Sequence, residues 1–212
     1  MKRFATYGSA WAFLQALLLL FASPAMAREK LVLAFGDSLT AGYGLAAGQS
    51  FPAQLQSSLH KQGISVRVHN AGVSGETTAA GRARLNWVLA SLKVKPDLVI
   101  LELGANDMLR GLPPAQARAN LDAMLTELNK RKVPVLLAGM RASFNLDKTY
   151  RAHFDGMYPA LARKHRVRFY PFFMEGVAGN RALLLKDQLH PTAPGVAIIV
   201  RRIQPMVSAA LR

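Results

Sequence analysis

The chain has 212 residues, of which 51% are hydrophobic and 18% are charged, and its formal net charge is +15. This composition excludes a disordered or fibrous protein and suits one globular domain with a sizeable core. Because the sequence contains no cysteine, disulfide bonds, thiolate nucleophiles and cysteine metal sites are excluded.

Residues 1–27 have the features of a secretory signal peptide. A short basic head precedes an apolar run from Trp11 to Ala22, and Ala25-Met26-Ala27 is a small-x-small cleavage site. A retained membrane anchor is the alternative, but about a dozen apolar residues fall short of the roughly 20 that cross a bilayer. We therefore expect cleavage before Arg28, one domain spanning residues 28–212, and a periplasmic or secreted protein.

After the leader, apolar strand-like runs alternate with segments of helical period. Because five strands are each followed by a helix, the pattern predicts an α/β fold with a five-stranded parallel sheet covered by helices on both faces. The predicted strands are residues 30–36, 64–69, 97–103, 133–139 and 166–171, and the predicted helices are residues 50–61, 77–92, 115–131, 149–164 and 192–211.

Three of the predicted strands end in a glycine beside small polar residues. These ends lie at residues 36–38, 70–75 and 104–107. Because the carboxyl ends of parallel strands lie on one edge of a sheet, the three turns are expected to converge on one crevice. The alternative is that such loops contain glycine, serine and asparagine only for turn conformation and helix capping.

Ser38 is the candidate nucleophile, because the apolar run 31–35 delivers it to that edge of the sheet. The alternative is that Asp37 or Ser38 merely caps the following helix. Ser74 is a second candidate nucleophile. Neither serine lies in the Gly-x-Ser-x-Gly elbow of the α/β-hydrolases.

Asp187 and His190 stand three residues apart in a polar turn ahead of the last predicted helix. One turn of chain can therefore bring the carboxylate to the imidazole Nδ1–H and leave Nε2 facing the crevice, which orients the ring and selects its tautomer. Such a base activates a weakly nucleophilic serine. The other histidines have no acid three residues before them and are predicted to be structural; they are His60, His69, His153 and His165.

An acyl-transfer site also needs hydrogen-bond donors for the developing oxyanion. The predicted set is the backbone N–H of Ser38, the backbone N–H of Gly72 and the side-chain amide of Asn106. Asp107, beside Asn106, is expected to hold its loop together. This chemistry requires no metal ion and no organic cofactor.

These residues resemble, in order and spacing, the four sequence blocks of the SGNH, or GDSL, hydrolases. The matching blocks are Gly36-Asp37-Ser38-Leu39, Gly72, Gly104-x-Asn106-Asp107 and Asp187-x-x-His190. The resemblance extends over nearly all of the chain after the leader, and it is to the exported bacterial branch of thioesterases, lysophospholipases and arylesterases. It implies a flavodoxin-like three-layer α/β/α fold and the catalytic and oxyanion roles assigned above. Thr40, where many members have serine, is the departure from the family pattern.

The apolar segment 108–114 directly follows the Asn106 block and is rich in turn-forming residues. We expect Met108, Leu109 and Leu112 to form one wall of the acyl site, and Phe172 to lie on its far side. The alternatives are a rigid connection into the next helix for the first three residues and core packing for Phe172.

The sequence therefore predicts a serine esterase that acts on aryl and alkyl esters, lysophospholipids and acyl thioesters through an acyl-enzyme. Because acyl-CoA is a cytoplasmic metabolite, an exported enzyme is expected to meet esters and lysophospholipids. The alternatives are a deacetylase of envelope polysaccharide with the same triad, and a non-catalytic envelope-binding module.

The basic residues are scattered in ones and twos, without aromatic interleaving. This pattern disfavours dedicated nucleic-acid binding and agrees with peripheral contact with anionic lipid. We expect a monomer.

Overall fold

The computed structural model describes residues 28–212, so the predicted signal peptide lies outside the described residues. The described part contains five strands, namely β1 (Lys30–Gly36), β2 (Val66–Gly72), β3 (Leu98–Glu102), β4 (Val135–Ala138) and β5 (Arg168–Tyr170). Its helices are α1 (Ser38–Ala41), α2 (Phe51–His60), α3 (Thr78–Ser91), α4 (Ala105–Leu109), α5 (Pro114–Lys130), α6 (Lys148–His165) and α7 (Ala193–Leu211), with a 3₁₀ turn at Arg181–Leu183.

The five predicted strands and the five longer helices are all present, with ends that differ from the prediction by a few residues. The sequence pattern does not predict α1 or α4, because four or five residues are too few to show a helical repeat of apolar side chains. Both short helices directly follow the end of a strand, so they shape the edge of the sheet where the polar residues lie.

The sheet is parallel throughout, with the strand order β2-β1-β3-β4-β5. β1 therefore lies between β2 and β3, and Gly36 at its end is paired with Gly72 on one side and Glu102 on the other. The chain leaves β1 at the point where the strand order reverses, which is where open α/β sheets form a crevice beyond the strand ends. The predicted convergence of the three turns follows from this order.

Helices cover both faces of the sheet, which gives the predicted three-layer α/β/α fold. α2 packs with α7, while α3 packs with α5 and α5 packs with α6. The side chains of β1 from Leu31 to Phe35 and those of β3 are almost completely buried, as expected for central strands covered on both faces. Among the described helices, none combines the length and the hydrophobicity that a membrane span requires.

Gly72 ends β2 at a point where α1 lies against the strand. A Cβ at this position would lie 2.3 Å from Ala41 N, 2.7 Å from Ala41 Cα and 2.8 Å from Asp37 O. All three atoms belong to the backbone, so they cannot make room unless α1 itself moves. The position therefore requires glycine for a close approach between two segments of backbone.

We predict that Gly72→Ala lowers the free energy of unfolding by about 1–3 kcal/mol, the usual cost of overpacking a well-packed site. Gly156→Ala is the matched control, because Gly156 lies within α6 and an added Cβ there meets no atom within 4 Å. This control is expected to stabilise the protein by about 0.5–1 kcal/mol, since alanine has the higher helix propensity. Urea unfolding measures both effects, and a Gly72→Ala variant as stable as the wild type would contradict the close approach.

Candidate active site

Ser38, His190 and Asp187 form a continuous chain of hydrogen bonds at the carboxyl edge of the sheet. His190 Nε2 lies 2.9 Å from Ser38 Oγ, and His190 Nδ1 lies 2.7 Å from Asp187 Oδ2. Both distances suit proton transfer from a serine to an imidazole that a carboxylate orients. The fold thus brings together three residues from opposite ends of the chain, with the geometry of a catalytic triad.

The position of Ser38 follows from the turn that ends β1. Asp37 caps α1, because its Oδ1 accepts a hydrogen bond of 3.0 Å from Leu39 N. Ser38 is the first residue of α1, and its hydroxyl contacts His190. From the sequence, Ser38 was either a nucleophile or, like Asp37, only a residue that caps the helix. In the structure Asp37 caps α1, while the Ser38 hydroxyl contacts the His190 ring.

Asp187 and His190 lie in a loop that is closed at its base. Leu184 and Pro191 form an antiparallel bridge on the two sides of this loop. Between them, Gln188 adopts a left-handed conformation with a φ of +60°, which reverses the chain between the acid and the base. The closed loop fixes the carboxylate against the imidazole.

The environment of Asp187 keeps its carboxylate ionised. Desolvation raises the pKa of Asp187, but hydrogen bonds from the backbone N–H groups of His190 and Leu189 and from the His190 ring outweigh it, so the pKa is lowered to about 2. The resulting negative charge stabilises an imidazolium at His190. The Tyr43 ring lies 4.5 Å from the His190 ring, centroid to centroid, and restricts its movement.

A second carboxylate, that of Asp37, is completely buried directly before Ser38 in the chain. Its Oδ2 accepts a hydrogen bond of 3.1 Å from Asn106 Nδ2, so it joins the end of β1 to the turn after β3. Burial raises the pKa of Asp37 to about 6, although the hydrogen bonds from Leu39 N and Asn106 oppose this shift.

Glu102, at the end of β3, places a second acid beside Asp37. Its Oε2 accepts hydrogen bonds from Thr40 Oγ1 at 2.8 Å and from Asp37 N at 3.4 Å, while its Oε1 has no partner among residues 28–212. Burial and the neighbouring Asp37 raise the pKa of Glu102 well above its usual range. Glu102 was not among the residues predicted for the site, because an acid within an apolar strand gives no indication of its partner.

The structure changes the assignment of the predicted oxyanion donors. The N–H of Ser38 lies at the cavity described below and has no acceptor within residues 28–212. The N–H of Gly72, in contrast, donates to Asn70 Oδ1 at 3.0 Å, and Gly72 does not line the cavity. This corrects the prediction for Gly72, whose role in the structure is the close approach to α1.

Gly75, three residues after Gly72, is the glycine of this segment that lines the cavity. It is the third residue of a turn closed by the hydrogen bond from Glu76 N to Val73 O, 3.2 Å. Its φ of +79° is the conformation that favours glycine at this position of a turn. The N–H of Gly75 has no acceptor in the described part of the chain. In the sequence, the Ser74-Gly75 pair within a polar turn was the feature that could have indicated Gly75.

Asn106 lines the cavity, as predicted, but its side-chain amide is already hydrogen-bonded. Nδ2 donates to Asp37 Oδ2 and to Glu76 O, both at 3.1 Å, so both amide hydrogens have acceptors within the protein. Asp107 holds the loop, as predicted, because its carboxylate accepts from Thr78 N at 2.8 Å and from Thr78 Oγ1 at 2.6 Å.

Arg84, which the sequence analysis also missed, fixes the backbone on this side of the site. Its guanidinium forms two hydrogen bonds to the Glu76 carboxylate, one of them 2.5 Å from Nε to Oε1, and donates to Ala71 O at 2.8 Å and to Gly36 O at 3.3 Å. The same group lies 4.0 Å from the centroid of the Phe35 ring. Arg84 therefore connects the ends of β1 and β2 to the turn that carries Gly75.

A cavity of about 400 Å³ opens beside Ser38 and His190. Of the predicted substrate-binding residues, Met108, Leu109 and Phe172 line it. Leu112 does not, which corrects that prediction: its N–H donates to Asp107 O and its carbonyl accepts from Tyr150 Oη, both at 2.9 Å. The apolar lining consists mainly of Leu39, Met108, Leu109, Met140, Phe172, Met174 and Leu184.

The remaining candidates do not take part in the hydrogen bonds that join Ser38, His190 and Asp187. None of the other four histidines lines the cavity; for example, His165 Nε2 contacts Asp122 Oδ1 at 2.6 Å. Ser74 does line the cavity, but the His190 imidazole contacts Ser38 instead. Within residues 28–212, no group of three or more histidine, aspartate or glutamate side chains could hold a metal ion.

Comparisons with known proteins find close relatives of this chain. The sequence model of the GDSL-like lipase/acylhydrolase family matches residues 34–198. Esterase TesA of Pseudomonas aeruginosa is 37% identical over 194 residues, which cover 92% of this chain and 94% of that protein. Thioesterase 1/protease 1/lysophospholipase L1 of Escherichia coli K12 is 34% identical over 181 residues, or 84% and 85% of the two chains.

A solved structure shows the same similarity in three dimensions. The crystal structure of AlinE4, an SGNH-hydrolase family esterase, is 52% identical to this chain and superimposes with a TM-score of 0.75. The match covers 89% of this chain and 100% of AlinE4.

Because the pKa of Asp37 is raised in the folded protein, we predict that the contribution of Asp37 to the free energy of unfolding falls as the pH rises. Between the ordinary value of 3.8 and about 6, the folded chain keeps a proton on Asp37 that the unfolded chain has lost. The free energy of unfolding therefore falls by about 3 kcal/mol across this window. Asp37→Asn cannot ionise, so its stability relative to the wild type should rise by about this amount between about pH 4 and pH 7.

Urea unfolding of both proteins across this pH range measures the effect. Asp147→Asn is the matched control, because hydrogen bonds from Tyr150 N and Thr149 N lower the pKa of the exposed Asp147. That variant is expected to show little or no trend between about pH 4 and pH 7, because the lowered pKa of Asp147 confines its effect on stability to pH values below about 3.8. A difference between Asp37→Asn and the wild type that stays constant with pH would contradict the raised pKa of Asp37.

Proposed function

The chain belongs to the GDSL-like lipase/acylhydrolase family and is a carboxylic ester hydrolase of the esterase and thioesterase type, and we propose that it acts through Ser38, His190 and Asp187 with an acyl-enzyme intermediate. The observation that carries the proposal is the 2.9 Å contact between His190 Nε2 and Ser38 Oγ, with Asp187 on the other side of the same ring.

Each member of the triad has a distinct task. His190 Nε2 takes the proton from Ser38 Oγ as this oxygen attacks the substrate carbonyl. Asp187, ionised at all but strongly acidic pH, stabilises the imidazolium that forms. His190 then gives the proton to the leaving alcohol or thiol, and the acyl group remains on Ser38. Water, activated by His190 in the same way, releases the acid and restores the serine.

The tetrahedral intermediates require hydrogen-bond donors for their oxyanion. The site offers two kinds of donor, backbone N–H groups and the side-chain amide of Asn106. The backbone N–H groups of Ser38 and Gly75 can bind an oxyanion without breaking an existing hydrogen bond, since neither has an acceptor among the described residues. The Asn106 amide contributes by sharing a hydrogen that it now donates to Asp37 or Glu76. Donors held in place in this way stabilise the transition state at little cost in reorganisation.

The lining of the cavity supports substrates with an apolar acyl group. Three of its side chains are methionines, Met108, Met140 and Met174, which adapt to ligands of different shape more readily than branched residues do. We therefore propose broad acyl specificity, with alkyl and aryl esters and lysophospholipids as substrates and thioesters accepted at the same carbonyl. An acetyl group on a polysaccharide would leave most of this apolar volume unfilled, which favours esterase over deacetylase activity.

Two further proposals concern where and in what form the enzyme works. Export to the periplasm or the medium rests on the sequence of residues 1–27, which lie outside the described part. We also propose a monomer, in which one copy of the chain supplies the whole triad and the cavity lining. No cofactor takes part in the proposed reaction.

The first test is covalent labelling together with turnover. We expect a fluorophosphonate to label Ser38 in the wild type, as seen by mass spectrometry of the modified peptide, and Ser38→Ala to lose both labelling and hydrolysis of p-nitrophenyl esters. Ser74→Ala is the matched control and should keep the label, because His190 contacts Ser38 and not Ser74. Labelling of Ser74, or turnover by Ser38→Ala, would remove Ser38 from the mechanism.

A second test concerns Asn106. We predict that Asn106→Ala lowers kcat by about 10²–10³-fold, the usual effect of removing one oxyanion donor. KM should change little, because an oxyanion donor acts mainly in the transition state. Thermal unfolding must show that the variant is folded, since Asp37 loses a hydrogen-bond partner. A fall in kcat of less than about threefold would leave the backbone groups as the effective donors.

A further inference from the structure

Exposed apolar side chains are concentrated around the mouth of the active-site cavity. Seven large apolar side chains are exposed in the described part of the chain, and five of them either line the cavity or directly adjoin a lining residue in sequence. We call these five the mouth surface; they are Tyr43, Val73, Leu109, Phe144 and Leu189. Tyr43, Leu109 and Leu189 line the cavity themselves, while Val73 and Phe144 each adjoin a lining residue in sequence.

Phe144 is the clearest member of the mouth surface. It is 91% exposed and does not line the cavity, so neither core packing nor substrate binding inside the cavity accounts for it. Single exposed apolar residues are common, but a group of them around one opening is typical of an interaction surface. Trp87 and Val94, the other two exposed apolar side chains, belong to α3 and to the connection after it.

Three of the segments that carry the mouth surface, those with Leu109, Phe144 and Leu189, are also basic. Residues 108–112, 141–148 and 184–190 contain four exposed cationic side chains, Arg110, Arg141, Lys148 and Lys186, against two acids. Both acids are held by backbone N–H groups of the chain: Asp147 caps α6, and Asp187 belongs to the triad. Apolar side chains surrounded by cations match the chemistry of an anionic lipid surface, with acyl chains beneath and phosphates around them.

We propose that the mouth surface docks on an anionic phospholipid bilayer, so that the cavity opens toward the lipid. This inference rests on the proposed function, because it uses the opening of the same site. In this orientation an acyl ester passes from the bilayer to Ser38 without its chain crossing water. The docking implies that the substrate is an ester presented in a lipid surface. It also implies that Phe144 contacts the acyl chains of the lipid.

Co-sedimentation with lipid vesicles tests the docking. We expect the purified enzyme to bind vesicles of phosphatidylcholine with phosphatidylglycerol, to bind phosphatidylcholine vesicles weakly, and to lose binding as salt is added. Phe144→Ser should reduce binding by about tenfold, since burial of one phenylalanine in lipid is lost. Arg141→Gln should reduce it by about fivefold.

Trp87→Ser is the matched control, because it removes a larger exposed aromatic side chain outside the mouth surface. It should leave vesicle binding unchanged. Failure of the wild type to bind anionic vesicles at low salt would overturn the proposal, and so would an equal loss of binding in Trp87→Ser and Phe144→Ser. Self-association that Phe144→Ser abolishes, without vesicle binding, would instead assign the mouth surface to contact with a second copy of the chain.

Hydrolysis of p-nitrophenyl acetate separates this proposal from the proposed function. Phe144→Ser should hydrolyse this soluble ester at the wild-type rate, because Phe144 lies outside the cavity. The same variant should lose activity on a lysophospholipid embedded in anionic vesicles in proportion to its loss of binding. If the wild type bound vesicles but hydrolysed neither substrate, the proposed function would fail and the docking would stand.

Discussion

The buried carboxylate of Asp37 is the group on which the arrangement of the active site depends. It accepts one hydrogen bond from Leu39 N, which fixes the start of α1, and one from Asn106 Nδ2, which fixes the turn after β3. Ser38 lies between Asp37 and Leu39 in the chain. Ser38 and the Asn106 amide are thus attached to the same buried group, and their separation does not depend on flexible side chains at the surface. Such support by neighbouring residues is what gives a catalytic site its geometric accuracy.

This arrangement has a cost, which the rest of the fold must offset. Asp37 and Glu102 are both completely buried, and one Glu102 oxygen has no partner within residues 28–212. Burial of acids without full compensation opposes folding. The sheet around them, in contrast, is almost entirely apolar, with β1 and β3 covered on both faces. The apolar core supplies enough stability for the protein to retain these two buried acids. Replacing them would favour stability, but such a gain commonly conflicts with activity.

The sequence predicted those features that depend on long or chemically distinctive patterns. The five strands and longer helices could be predicted because their apolar repeats extend over many residues, and the association of Ser38 with His190 could be predicted because only one histidine had an acid at the right spacing. The sequence interpretation chose Gly72 and not Gly75, since two glycines three residues apart differ mainly in which one lines the cavity, and only the serine before Gly75 distinguished them. Glu102 and Arg84 were missed because their partners are distant in sequence and appear only when the strand ends are side by side.

The two sides of the cavity differ in rigidity, since the polar side is held by hydrogen bonds and the apolar side can adapt in shape. On the polar side, Asp37, Arg84 and the turn with Gly75 hold backbone and amide groups in a connected network of hydrogen bonds. On the apolar side, three methionines line the space for the acyl group, and their unbranched side chains can repack around different substrates. A carbonyl group has the same shape in an ester, a thioester or a lysophospholipid, whereas the groups attached to it differ. A rigid polar side next to an adaptable apolar side is therefore suited to holding one kind of carbonyl group while the groups attached to it differ, which agrees with a fold that keeps its chemistry while its substrates vary.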